Sequence, residues 1–134
     1  MKRASLILAA LLCASPQPVL SGESGRFLPR VVAESEMHRE SLSALVKGRR
    51  DIPIWVRSMI SRDTYVALAS EAIEVDGKPM ELFRACEPRN CPVSEIRVLF
   101  SPDGKRAVMM SRDVDRGVTL LGDPSPAERV RLED

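Results

Sequence analysis

The sequence is poor in aromatic residues and in histidine, and it carries almost no net charge. Phe, Tyr and Trp make up 4% of its 134 residues, with one Trp, one Tyr and one His. Lysine and arginine number 20 against 19 acidic residues, a formal charge of +1. Proteins that grip nucleic acid through phosphates carry a clear basic excess, so this balance excludes a general nucleic-acid binder. No Ser-His-Asp constellation accompanies the single His38, which is expected on a solvated helix face beside the surface charges Glu34, Glu36 and Glu40. The chain therefore reads as a non-enzyme without a cofactor. It does have enough apolar sequence to fold: 44% hydrophobic against 29% charged residues, at a length that suits one domain.

The cysteine count is three, an odd number, and the N-terminus accounts for it. Lys2 and Arg3 precede an apolar stretch from Ala4 to Ala14, followed by Pro16, Pro18 and the segment Val19-Leu20-Ser21 before Gly22. A basic start, a short apolar run and modest side chains ahead of a cleavage point are the pattern of a signal peptide over residues 1–21. The run is too short for a membrane span. Leu11 and Leu12 stand where a lipoprotein needs a small residue before its cysteine, which argues against anchoring at Cys13. Removing residues 1–21 takes two basic residues and Cys13 with it, leaving a charge of about −1 and one cysteine pair. The expected location is the periplasm, an oxidising compartment where that pair persists as a disulfide.

Residues 22–134 are expected to form the folded domain. Gly22 to Arg30 is a lead-in, and Val31 to Lys47 has helical composition, with Val31, Leu42, Leu45 and Val46 on one stripe and Gly48 as its stop. Pro53 opens a short second helical turn. From Tyr65 the period shifts to two. Ile73 and Val75 lead to the hairpin signal Asp76-Gly77, and Met80 to Cys86 returns. Ile96, Val98 and Phe100 alternate with Glu95, Arg97 and Ser101, and Ser101-Pro102-Asp103-Gly104 is a second turn. Arg106 to Ser111 and Val118 to Leu121 complete the strands, and Ser125-Pro126-Ala127-Glu128 has the form of a capping box that opens a last helix. The expected fold class is α+β, a single domain with an antiparallel meander. Trp55 and the pair Met109-Met110 read as core residues.

The chemically distinctive stretch is Cys86-Glu87-Pro88-Arg89-Asn90-Cys91. Residues five apart on a continuous strand point to opposite faces, so a bridge between these thiols requires the chain to reverse between them. Pro88 fixes one backbone angle and Asn90 tolerates the left-handed region, which suits a tight turn. Four intervening residues do not match the two of thioredoxin-type redox motifs. A zinc site needs two further ligands, and His38 is distant in sequence. Two readings remain: a bridge that merely pins a hairpin, and one that stiffens a protruding tip for binding.

These residues resemble the Ivy family, the periplasmic inhibitors of vertebrate C-type lysozyme. The family has a short loop of the form Cys-Lys-Pro-His-Asp/Asn-Cys, similar to Cys86 through Cys91 here. It also has a helix ending in Gly followed by Leu-Pro-x-Trp-Val, similar to Gly48 followed by Ile52-Pro53-Ile54-Trp55-Val56. An Ile-x-Val-x-aromatic-Ser strand matches Ile96 to Ser101, and the likeness covers residues 31–121.

The resemblance implies a central antiparallel sheet flanked by helices, with the disulfide-closed loop plugging the lysozyme cleft. It also implies a target-binding role for Glu87, Pro88, Arg89 and Asn90, and allows a homodimer. The family's loop histidine reaches the catalytic carboxylates; here Arg89 stands in its place and Glu87 replaces a lysine. A guanidinium stays charged and presents a planar fork of donors to carboxylates, so Arg89 suits the same task. The alternative target is the cell's own lytic transglycosylases, which also work through an acidic residue in a sugar cleft. An accessory envelope-binding role is the remaining alternative.

Overall fold

A computed structural model describes residues 23–134. The signal peptide expected over residues 1–21 lies outside the described residues. The elements run α1 (Leu28–Glu34), α2 (Glu36–Val46), α3 (Ile54–Arg57), β1 (Val66–Ala67), β2 (Glu71–Val75), β3 (Lys78–Cys86), β4 (Glu95–Phe100), β5 (Ala107–Asp113), β6 (Gly117–Leu121) and α4 (Pro126–Glu133). The expected α+β class is what the structure has.

Where one helix over Val31–Lys47 was expected, two helices stand, and the first begins at Leu28 inside the expected lead-in. The break is at Ser35, whose backbone is extended and whose hydroxyl accepts from the His38 backbone N–H at 3.4 Å. A serine side chain offers the backbone an alternative to helical bonding, and here it ends one helix while capping the next. The break lets Leu28, Val31 and Val32 and then Leu42 and Val46 all reach the same core.

The sheet is an antiparallel meander from β3 to β6, with β1 and β2 sharing the outer edge of β3. Asp76 and Gly77 turn β2 into β3 with φ of 51° and 72°. Positive φ at both central residues is the twist-matched two-residue hairpin turn, which the Asp-Gly pair anticipates. Strand alternation sends two sets of side chains to opposite faces. Phe83, Ile96, Val98, Phe100 and Met109 face α1, α2 and α3, while Leu82, Leu99, Val108 and Met110 face Leu132 of α4. Both Met109 and Met110 are fully buried, one on each face.

Two ion pairs tie the flanking segments down. Glu81 is 3% exposed and receives both Arg26 and the Ser70 hydroxyl, the latter at 2.7 Å. That pairing draws the N-terminal segment onto the sheet edge, and Glu81 in turn holds Arg26 above its ordinary pKa. At the other end, Ser125 and Glu128 form the expected capping box on α4. Arg106 grips Glu128 with bonds of 3.0 and 2.5 Å, which holds that buried carboxyl below its ordinary range.

His38 is not on a solvated face. It is 4% exposed, with its ring 4.8 Å from that of Phe100 and Nδ1 2.7 Å from the Ser35 hydroxyl. The turn between β4 and β5 packs directly on it: Gly104 has φ +74°, and a Cβ there would run into the imidazole. His38 stands four and eight residues before Leu42 and Val46, so helical spacing itself places it on the buried stripe of α2. Glu34, Glu36 and Glu40 are exposed as expected.

Candidate functional site

The site is at one end of the sheet, and the meander explains why. Successive hairpins of an antiparallel sheet turn at alternate ends, so the β3–β4 loop and the β5–β6 turn emerge side by side. The β2–β3 and β4–β5 turns lie at the opposite end. Helix α3, opened at Pro53, covers the same end from the helical face.

Cys86 is the last residue of β3, and it bonds to Cys91 with the Cα atoms 4.9 Å apart. The reversal between them is a turn in which the Asn90 N–H donates to the Glu87 carbonyl at 3.0 Å. Pro88 occupies its second position and Arg89 its third, with φ +69°. A fixed negative φ followed by a positive one defines a type II turn, whose third position favours glycine or asparagine. The left-handed residue is thus Arg89, not Asn90 as expected from residue preference. Proline at the second position suits type I and type II turns alike, and the positive φ of Arg89 makes this one type II. A second turn follows, with the Val93 and Ser94 N–H groups donating to the Asn90 carbonyl at 3.0 and 2.9 Å. The Glu87 N–H closes the loop onto the Ser94 carbonyl at 3.0 Å.

The loop's base is anchored on both faces. Trp55 donates its indole N–H to the Ser94 hydroxyl at 2.9 Å, and Ser94 is 2% exposed. Trp55 also lies 6.2 Å from Tyr65, whose phenol is pushed up to about 12 by burial and then by Asp63. On the other face, Glu95 opposite Cys86 accepts from Arg112 at 2.6 Å, with Arg97 at 3.7 Å. Trp55 is therefore the half-buried core residue expected, and also a strut for the loop.

Of the four expected target-binding residues, Pro88, Arg89 and Asn90 are exposed at the tip. Glu87 is half-buried and, together with Asn90, lines a cleft of about 360 Å³. The cleft runs between the loop, Trp55 and the turn Asp113–Arg116. Its rim holds Ile54, Val93 and Val114, exposed by 70%, 44% and 71%. Asp113 is 9% exposed, and its Oδ2 is buried without a hydrogen-bond partner; Arg116 Nη1 stands 3.7 Å away.

Sequence reasoning missed Asp113, Asp115 and Arg116. The available signal was Asp113-Val114-Asp115-Arg116-Gly117, a polar run between two strands, combined with the alternation of hairpin ends. Among the described residues no cluster of three or more His, Cys, Asp and Glu side chains is arranged to hold a metal. No helix among them is long and apolar enough to cross a membrane.

What these elements define is a single α+β domain that presents a disulfide-closed, proline-stiffened loop, with Arg89 exposed at its tip, next to an acidic cleft. Compared with known proteins, the chain matches no protein-family model and no curated sequence.

Proposed function

We propose that the protein is a periplasmic inhibitor of lysozyme, whose Cys86–Cys91 loop enters the glycosidase cleft and sets Arg89 against the catalytic carboxylates. The observation that carries this reading is Arg89 itself: exposed at the loop tip, in a left-handed backbone conformation, between Pro88 and the disulfide. A non-glycine residue at positive φ costs about 1–2 kcal/mol, a strain that clusters at binding sites. The stiffness of the loop limits the ordering entropy lost on binding.

The chemistry follows from the target. Retaining glycosidases hold two carboxyl groups about 5–5.5 Å apart, one donating a proton and one attacking the sugar. A guanidinium between them pairs with both through its planar fork, and its charge favours the ionised form of the group that must donate the proton. The loop also fills the subsite that the sugar needs. Inhibition is therefore steric and electrostatic, and no bond is made or broken.

A turbidity assay of cell-wall lysis tests this. The oxidised chain without residues 1–21 is expected to slow a C-type lysozyme. Arg89→Ala is expected to raise the concentration required by roughly thirtyfold, as for a binding hot spot. The exposed control Arg62→Ala leaves it unchanged. No slowing by excess protein overturns the reading for lysozyme. Running a lytic transglycosylase in parallel decides the alternative target.

A further inference from the structure

The cleft beside the loop is built like a receptor for one long cationic side chain. Three carboxylates line it, Glu87, Asp113 and Asp115, against the single guanidinium of Arg116. Asp113 is the unusual member. It ends β5 on the helical face, nine-tenths buried, with Oδ2 lacking any hydrogen bond. A buried carboxylate oxygen without a donor carries a desolvation cost that an incoming N–H group relieves. Its neighbour Arg116 approaches only to 3.7 Å, too far for a hydrogen bond, and is 41% exposed.

The other walls suit the rest of such a side chain. Ile54 and Val114 are exposed aliphatic groups at the mouth, where the methylene stem of an arginine or lysine packs while its head goes deeper. Trp55 contributes an aromatic wall, and a guanidinium stacks favourably on an indole. Glu87 belongs to the loop itself, so filling the cleft also braces the turn that carries Arg89.

We propose that this cleft receives one arginine or lysine side chain of the enzyme that accepts the Cys86–Cys91 loop, so that the interface exchanges cations in both directions. Arg89 goes out to the partner's carboxylates, and a partner cation comes in to Asp113, Glu87 and Asp115. Arg116 acts as a loosely held resident cation that the incoming group displaces. The partner's identity as an enzyme rests on the reading above; the cation site itself rests on the cleft.

Two measurements separate these. The first titrates N-acetylarginine methylamide into the isotope-labelled chain and follows the Trp55 indole N–H and the Asp113 amide by NMR. Both signals are expected to shift, more than with N-acetylglutamate methylamide. Asp115→Asn is expected to weaken the response at least threefold, whereas Arg116→Ala strengthens it by removing the competitor. Absence of a shift, an equal response to the glutamate derivative, or a weaker response in Arg116→Ala overturns the cation site. The second measures lysozyme inhibition by a Val114→Lys, Asp115→Asn double variant, both exposed turn positions. A loss of tenfold or more with Arg89 intact is expected. Unaltered inhibition overturns the role of the cleft at that interface and leaves the loop reading standing. If the unmodified chain does not inhibit, the loop reading fails instead, and the titration alone decides whether the cleft binds a cation.

Discussion

Trp55 and Ser94, 39 residues apart in sequence, are joined by a hydrogen bond of 2.9 Å between the indole Nε1 and the serine Oγ. This one bond ties α3 to the base of the Cys86–Cys91 loop. Trp55→Phe keeps most of the apolar packing but leaves the buried Ser94 hydroxyl without its donor. The expected loss is about 1–2 kcal/mol of stability in a denaturant titration, together with weaker inhibition. A Trp55→Phe, Ser94→Ala double variant is expected to recover part of the stability, because both partners of the buried bond are then absent.

Arg89→Gly should separate stability from function. Glycine has no Cβ and takes positive φ freely, so the substitution relieves the backbone and raises stability by roughly 0.5–1 kcal/mol. The guanidinium is lost at the same time, so inhibition falls as far as in Arg89→Ala. Thermal unfolding and the lysis assay on one sample check both halves.

Replacing both Cys86 and Cys91 by serine removes a short cross-link. The chain-entropy account of so small a loop gives about 2 kcal/mol. The Glu87–Ser94 and Glu87–Asn90 backbone bonds still hold the loop base, so the fold is expected to persist and only the tip to loosen. Retained circular dichroism with weakened inhibition is the expected result; unchanged inhibition would show that the bridge merely pins the hairpin.

Arg26→Ala leaves the Glu81 carboxylate buried with only Ser70 as a partner. Uncompensated buried charges of this kind cost about 3–5 kcal/mol, which a urea titration resolves easily. Arg26→Ala combined with Glu81→Gln is expected to be less destabilised than Arg26→Ala alone, since the stranded charge is then removed.

Stability should decline in mildly acidic solution because of His38. Burial lowers its pKa below the ordinary 6.5, and Arg26 adds to this, while Glu81 and Asp103 oppose it. The unfolded chain therefore binds a proton more readily than the folded one. The stabilisation is complete above the unfolded pKa and is lost as the pH falls from there through the lowered folded value. Tm measured between about pH 7.5 and 5.5 should fall in the wild type and fall less in His38→Gln.

Much of this architecture is local, and local signals sufficed for it. Asp76-Gly77 fixes its hairpin because only residues that tolerate positive φ make that turn. Ser125 and Glu128 cap α4 through bonds that span three residues. Alternation of Ile96, Val98 and Phe100 with Glu95 and Arg97 sets one buried face of β4, while Leu99 is buried on the other, and the pairing of Cys86 with Cys91 needs only a reversal that Pro88 helps to make.

The sequence by itself therefore determined the α+β class, the meander and the loop with Arg89 near its tip. The tertiary structure decided three things. His38, expected on the surface, is buried because its ring lies against Phe100 and under the Gly104 turn, residues more than sixty positions away. The Cys86–Cys91 loop closes through a type II turn with the positive φ on Arg89, although Pro88 is equally compatible with a type I turn that needs none. The acidic cleft exists only because alternate hairpins bring Glu87 and Asp113 to the same end of the sheet, and no local pattern records a contact between residues that distant in the chain.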